Sequence, residues 1–373
     1  MKKIGVFTDR WLSGGIESYL VSNFEKMDLD DILVSIITTR KLSQLYDSRL
    51  ENIGIPIIEL FSEGKDSEIT RTVKSLKVFE EVLKAEKFDV LHLNIYNGVS
   101  LVYSKLARDC GVKKIIAHSH NSALGQVRLR AAKQLSHIVG KLAFQRFATD
   151  YWACSDLAGK WLFTKRAHSK VLLLNNGIDT DYFRFDSVKR TSFRQDYNLS
   201  ENDFVLGNIG RLNNQKNQIF LLEVARELNQ KNVSFTLLIA GDGELLSNLK
   251  DRIIDYRLSE KVKLIGTIGD TASFYSGIDI FLLPSLFEGN PIVGIEAQCS
   301  GAKCLLSDSI TRQAKVNEMT EFLSIHRVSD WVNFIEENKA SSQASRLKSY
   351  HTVKDNDFDI VDTSIHLKTN LLK

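Results

Sequence analysis

Short apolar runs alternate along this chain with stretches of helical spacing. In the first half, Ile4–Phe7, Ile32–Thr38, Pro56–Leu60, Val90–Leu93, Lys114–Ala117, Asp150–Cys154 and Val171–Leu174 read as strands. Helical patterns lie between most of them. Ile16, Tyr19, Leu20 and Phe24 share one helix face, and Ile69–Lys84 and Val99–Cys110 are further examples. Alternation of this kind predicts a parallel sheet covered on both faces. The polar segment from Thr180 to Asp203 interrupts the pattern, which then restarts. Phe204–Ile209, Ser234–Ala240, Lys261–Ile265, Asp279–Leu283 and Lys303–Leu306 are strands, with helices expected at about 216–230, 244–257 and 291–300. The expected fold class is α/β: two tandem Rossmann-like, doubly wound domains, 1–180 and 181–355, facing a cleft. Phe358, Ile360, Val361, Ile365 and Leu367–Leu371 predict a terminal helix within 356–373.

At 373 residues, two full cores are affordable in chain length, and a hydrophobic content of 43% with 25% charge is that of a globular protein. A net charge of +3 argues against a bulk nucleic-acid binder, so any basic surface must be local. Cys110, Cys154, Cys299 and Cys304 are scattered, which predicts free thiols in a reducing cytosol and no zinc site. The apolar run Ile4–Phe7 is too short for a signal peptide, and no window approaches a spanning helix.

Ligands of doubly wound sheets gather beyond the carboxyl ends of the strands. Glu288-Gly289-Asn290 forms the turn after the strand ending at Leu283, and Pro291 suits the first position of the helix that follows. One carboxylate, Glu288, therefore lies on the loop and a second, Glu296, in about the second turn of the helix. The helix N-terminus attracts phosphate, and carboxylates at its rim accept hydrogen bonds from sugar hydroxyls. Each glutamate alone is equally well an ordinary helix-start or surface charge. Arg211 and Lys216, after the strand ending at Ile209, stand where a phosphate would sit; alone they are two solvated cations. Gly241-Asp242-Gly243-Glu244 reads as a turn into a helix. Ser13-Gly14-Gly15 follows the first strand, either as a tight turn that needs φ > 0 or as a loop whose backbone approaches a phosphate. It falls short of the dinucleotide fingerprint. His118 and His120 end a strand, with His120 the further out, and no third ligand marks a metal site. Asp179-Thr180-Asp181 lies outside the region these motifs define. The segment 126–149 carries Arg128, Arg130, Lys133, Lys141 and Arg146 with no acid, interleaved with apolar residues. It is either a basic amphipathic helix at an anionic membrane surface or a helix packed on the sheet with a solvated basic face.

Taken in order, Gly14-Gly15-Ile16-Glu17, Ala117-His118-Ser119-His120-Asn121, Asn176-Gly177-Ile178-Asp179, Gly210-Arg211-Leu212 with Gln215-Lys216, Ala240-Gly241-Asp242-Gly243, and Glu288 and Glu296 with seven residues between them resemble one family. The chain is similar to the retaining family 4 glycosyltransferases of GT-B fold, especially bacterial enzymes of capsule and exopolysaccharide synthesis. The resemblance implies that Arg211 and Lys216 hold the donor diphosphate and that Gly14 and Gly15 approach the same phosphates. It implies that Glu288, Gly289 and Asn290 contact the transferred sugar, with Pro291 part of the donor-binding set. Glu296 would accept from the ribose hydroxyls, and His120 would face the sugar from the acceptor domain. The catalytic set is then His120, Arg211, Lys216 and Glu288. The terminal helix would return to the first domain. The chain departs from the family at Ser309–Ala314, where a glycine-rich turn and another glutamate are common.

The expectation is a metal-independent, retaining transferase with no cofactor, using a nucleotide-sugar, chiefly a UDP-hexose or UDP-N-acetylhexosamine. Its acceptor would be a lipid-linked saccharide at the inner face of the cytoplasmic membrane, with no nucleic acid involved. A nucleotide-sugar epimerase of the same architecture and a non-catalytic subunit of a polysaccharide assembly complex are the rivals.

Overall fold

The computed structural model describes residues 1–61, 68–125, 130–339 and 343–373. They form two compact units, Met1–Gly177 with Ile360–Lys373, and Ile178–Asp359.

The first unit contains β1 (Lys2–Trp11), α1 (Gly15–Lys26), β2 (Ile32–Lys41), α2 (Asp47–Asn52), β3 (Ile57–Glu59), α3 (Glu68–Glu86), β4 (Val90–Ile95), α4 (Val102–Asp109), β5 (Lys114–Ser119), α5 (Arg130–Phe144), β6 (Asp150–Ala153), α6 (Asp156–Leu162), α7 (Lys165–His168) and β7 (Leu172–Leu173). Its seven strands pair in parallel in the order β3-β2-β1-β4-β5-β6-β7. Every residue of β4 is buried, as a strand covered by helices on both faces requires.

The second unit runs α8 (Thr180–Phe183), α9 (Ser187–Asp196), β8 (Val205–Ile209), α10 (Gln218–Gln230), β9 (Thr236–Ala240), α11 (Leu246–Asp255), β10 (Val262–Gly266), α12 (Thr271–Gly277), β11 (Ile280–Leu283), α13 (Ile292–Cys299), β12 (Lys303–Ser307), β13 (Thr320–Leu323), α14 (Val328–Glu337) and α15 (Gln343–Val353). Its sheet, β10-β9-β8-β11-β12-β13, is also parallel. Strand β13 and helices α14 and α15 went unanticipated. Thr320–Leu323 offers only Phe322 as a buried apolar side chain, too little for a periodicity signal.

Helix α16 (Ile360–Leu372) completes the first unit, packed along α1. Lys2 donates to the Leu372 carbonyl at 2.7 Å, Lys114 to the Asn370 carbonyl at 2.7 Å, and Lys368 pairs with Asp28 and Asp31. Gly177 allows the chain to pass close by: a Cβ there would lie 2.0 Å from Thr363 Oγ1. The residues just beyond are tied in the second unit, where the Ile178 N–H donates to the Phe358 carbonyl at 2.8 Å and the Thr180 hydroxyl to Asp359.

A buried ionic cluster pins the lower end of the second sheet. Asp279 accepts from Arg190 at 3.0 Å and from Arg194 at 2.9 Å. Arg346, fully buried, donates instead to the carbonyls of Tyr275, Ser276, Ile278 and Ser300. Its guanidinium satisfies the buried C-terminal end of α12, where the last carbonyls have no helical partner.

Helix α5 turns its apolar side outward, with Leu135, Ile138, Val139 and Leu142 exposed. A Cβ on Gly140 would lie 2.4 Å from the Gly98 carbonyl oxygen, and His137 accepts the Gly98 N–H at 2.9 Å through Nδ1. Residues 126–129 of the basic segment lie outside the described residues. Among the described residues no helix is long and apolar enough to cross a membrane.

Candidate active site

In each sheet the strand order reverses at one place, β1/β4 in the first unit and β8/β11 in the second. A crevice opens outside the carboxyl ends of the strands at such a point. In the second unit it is built by the loops after β8 and β11.

The loop after β8 begins with Gly210 at φ +152° and folds against Gly241 at φ +131°. A Cβ on Gly241 would sit 2.0 Å from the Gly210 carbonyl oxygen, so backbone must meet backbone here. The Leu212 N–H donates to the Asp242 carbonyl at 2.9 Å, closing the two loops together. Asn213 accepts from the Lys216 N–H, and Asn217 takes the left-handed conformation (φ +55°) that swings the chain into α10. This loop is tied to the loop after β11. The Leu286 N–H donates to the Gln215 carbonyl at 2.8 Å, the Gln215 amide to the Phe287 carbonyl at 3.1 Å, and the Asn217 amide to the Pro284 carbonyl at 3.2 Å.

These bonds bring Lys216 and Glu288 together, Nζ to Oε1 at 2.7 Å, both side chains largely buried. A largely desolvated pair is held by geometry, and removing one partner strands the other. Arg211 lies at the exposed rim of the same loop, and its carbonyl is held by the Gln218 amide at 3.0 Å. Gly289, Asn290 and Pro291 are buried. Pro291 does not open the helix. Its ψ of 103° is extended, so it is the cap and α13 starts at Ile292. The missing N–H is harmless at either position, and ψ alone decides between them.

Glu296 sits within α13, where Oε2 accepts the Tyr275 hydroxyl at 2.7 Å. Burial pushes its carboxyl up from the usual 4.5 to about 7, against the opposing pull of the Tyr275 hydrogen bond and of Lys216. Burial and the neighbouring carboxylate raise the Tyr275 phenol well above its normal value, so it remains a donor. Arg346 in turn donates to the Tyr275 carbonyl at 2.8 Å. The chain of support runs from a buried arginine through a tyrosine to the carboxylate. Neither Tyr275 nor Arg346 was singled out from sequence, because each lies in a helical stretch with no turn signal.

The first unit presents different chemistry at its strand ends. Neither Gly14 nor Gly15 has φ > 0, which corrects the tight-turn reading. Gly14 caps α1 at φ −103°, and a Cβ there would approach Glu17 Oε2 at 2.9 Å. The buried Glu17 carboxylate accepts from the Leu12 N–H at 3.1 Å and the Gly14 N–H at 3.0 Å. It therefore shapes the loop from inside. His118 is fully buried, its Nδ1 2.9 Å from His92 Nε2. His120 is partly exposed and 2.8 Å from Asn94 Oδ1. Asn94 spends its own N–H on the Phe7 carbonyl at 3.2 Å, so Nε2 of His120 carries the proton and Nδ1 is left as an acceptor. Burial holds all three imidazoles well below their ordinary pKa, and His92 and His118 are lowered further by neighbouring rings. They are neutral at physiological pH. His92 and Asn94 were missed in the sequence, although a histidine and an asparagine inside the apolar run of β4 were the available signal.

Residues 189–348 match the family of glycosyl transferases group 1. The chain carries a group 1 glycosyltransferase domain. It is 27% identical over 339 residues to EpsF of Bacillus subtilis, a glycosyltransferase by name, covering 89% of this chain and 86% of that one. It is 25% identical over 332 residues to an Escherichia coli UDP-Gal:alpha-D-GlcNAc-diphosphoundecaprenol alpha-1,3-galactosyltransferase, covering 86% and 84%. Among solved structures, Anabaena HepE in complex with UDP-glucose superposes with a TM-score of 0.81 at 18% identity, covering all of both chains. The fold is that of the GT-B glycosyltransferases, and the protein is an enzyme of this class.

Proposed function

We propose that this glycosyltransferase moves a hexose or N-acetylhexosamine from a UDP-sugar to a lipid-linked saccharide in capsule or exopolysaccharide synthesis, retaining the anomeric configuration. The observation that carries the reading is the buried Lys216–Glu288 pair at the switch point of the second sheet, with Arg211 on its rim and Glu296 on the helix behind. The names of the relatives support the substrate classes. The Escherichia coli protein is named for a UDP-Gal donor and an alpha-D-GlcNAc-diphosphoundecaprenol acceptor, and another relative, CapH of Staphylococcus aureus, for capsular polysaccharide biosynthesis.

The chemistry follows from the charges. The bond from the anomeric carbon to the phosphate oxygen breaks, leaving negative charge on the diphosphate and positive character on the sugar. Arg211 and Lys216 stabilise the first through fixed cations in a partly desolvated site. They supply in this reading the charge that a metal ion would otherwise contribute. Glu288 lies beside Lys216, where its carboxylate accepts from sugar hydroxyls and faces the developing positive charge. Glu296 accepts from the ribose hydroxyls. The acceptor hydroxyl attacks the anomeric carbon from the face the diphosphate leaves, and its proton passes to the departing phosphate oxygen. His120, with Nδ1 an acceptor, can take a hydrogen bond from a sugar hydroxyl at the strand ends of the first unit.

The test combines a panel of nucleotide-sugars, a polyprenyl-diphosphate saccharide and EDTA. A saccharide extended by one residue, with the donor's anomeric configuration in its NMR spectrum, is expected from a UDP-sugar. A rearranged free sugar formed without acceptor would instead mark an epimerase, and an inverted anomer would refute retention.

A further inference from the structure

Lys216 carries a single charge, and two anions lay claim to it. Its Nζ lies 2.7 Å from Glu288 Oε1, with the two side chains 17% and 11% exposed. Among the described residues Nζ has no other hydrogen-bond partner. In the function proposed above, the same ammonium meets the donor diphosphate and the same carboxylate accepts from the sugar.

The two loops do not need the ion pair to stay together. The Leu286 N–H bonded to the Gln215 carbonyl, the Gln215 amide to the Phe287 carbonyl and the Asn217 amide to the Pro284 carbonyl join them without charge. The Lys216 backbone is fixed separately, its N–H donating to Asn213 Oδ1 at 3.0 Å. The lysine stem runs beside Gly210, where a Cβ would stand 3.4 Å from its Cε and 3.6 Å from its Cδ. No side chain at Gly210 hems it in. The ammonium is thus able to change partner while loops and backbone stay in place. A lysine suits such an exchange, being a point charge on a flexible stem where arginine is a planar fork.

A buried carboxylate that gives up its cation must be compensated, because an uncompensated buried charge is costly. A whole UDP-sugar compensates it: as the diphosphate takes Nζ, sugar hydroxyls take its place at Oε1. UDP alone brings the phosphates and no hexose hydroxyl. It leaves the carboxylate without its cation and beside a second anion.

We propose that Glu288 competes with the diphosphate for Lys216, so that the site holds a complete donor and, once the sugar has left, the carboxylate reclaims the ammonium and releases UDP. The inference rests on the reading of a UDP-sugar donor. It gives Glu288 a second part in the cycle, in product release, beside its contact with the sugar.

The experiment is calorimetric titration of the full chain with UDP in the presence of EDTA, with release followed by displacement of a fluorescent UDP analogue. Glu288→Gln keeps the shape and removes the charge. It should bind UDP about tenfold tighter and release it correspondingly more slowly. In the Lys216→Gln background the same change should gain about twofold at most, because no ammonium is there to be freed. Glu288→Asp draws the carboxylate back by one methylene and should gain about threefold. Melting temperatures show which variants are folded, and the aspartate variant carries the test if the amide variant is not. UDP affinity that does not rise in the folded variants overturns the competition. An equal gain with and without Lys216 overturns it as well, reducing the effect to removal of a like charge. A parent chain that binds no UDP overturns the donor reading itself.

Discussion

The two units share one architecture and differ in what they place at their strand ends. In the first, the switch region is lined by neutral rings and an amide: His92, His118, His120 and Asn94, packed with Tyr19 and Trp152. In the second it is lined by Lys216, Glu288 and Glu296, with Arg211 at the edge. A buried imidazole cluster offers hydrogen bonds but no cation, because burial keeps its rings uncharged. A buried ion pair has already met the desolvation cost and presents full charges to whatever enters. The difference shows how one fold carries two chemistries: charged groups at the strand ends of one unit, neutral hydrogen-bonding groups at those of the other.

The second unit is most vulnerable at the glycines that join its loops. Gly241→Ala sets a Cβ against the Gly210 carbonyl at a left-handed φ and should destabilise the second unit by about 3 kcal/mol. Denaturant unfolding checks this, and an unchanged midpoint would mean that the two loops separate without cost. Lys216→Ala should lower kcat by about a hundredfold to a thousandfold, the loss typical of one preorganised charge contact. A variant that loses only donor affinity, with kcat intact, would place Lys216 in binding alone.

Glu296 sharpens the contrast through pH. Its carboxyl holds a proton to about 7 when folded, against 4.5 ordinarily. Below about 4.5 both folded and unfolded chains are protonated there. As pH rises from there to about 7 the unfolded chain releases the proton first, so this group's contribution to stability falls and then levels off. Glu296→Gln should remove that slope from the melting temperature. Tyr275→Phe should push the carboxyl higher, because the hydrogen bond to Tyr275 lowers it. A pH profile identical to the parent's in Tyr275→Phe would show that the hydroxyl does not hold the carboxylate. The smallest effect is expected at His120→Ala. Transfer should slow by about tenfold to a hundredfold from loss of positioning, while UDP affinity measured by calorimetry stays level. A drop in UDP affinity would place the imidazole at the nucleotide.

Much of this was legible before any coordinates. Glycine-interrupted turns after apolar runs marked the loops at Gly210, Gly241 and Gly289, and the α/β alternation marked both sheets. The pairing of Lys216 with Glu288 was not legible, since 72 residues separate them and no local signal says that the ends of β8 and β11 are neighbours. The Arg190–Arg194–Asp279 cluster and the Arg346 contacts to four carbonyls were equally hidden, because a buried arginine reads in sequence as a surface charge.

By itself the sequence determined the elements and the loops that could carry chemistry, because periodicity and turn residues act over a few neighbours. Which charges meet and which way a helix faces follow from contacts made on folding. Pro291 became a cap through its ψ, Glu296 acquired a raised carboxyl through burial beside Tyr275, and α5 turned its leucines outward because Gly98 and His137 grip its other side. Each depends on contacts between residues far apart in the chain, and desolvation and close packing exist only once the chain has closed around them.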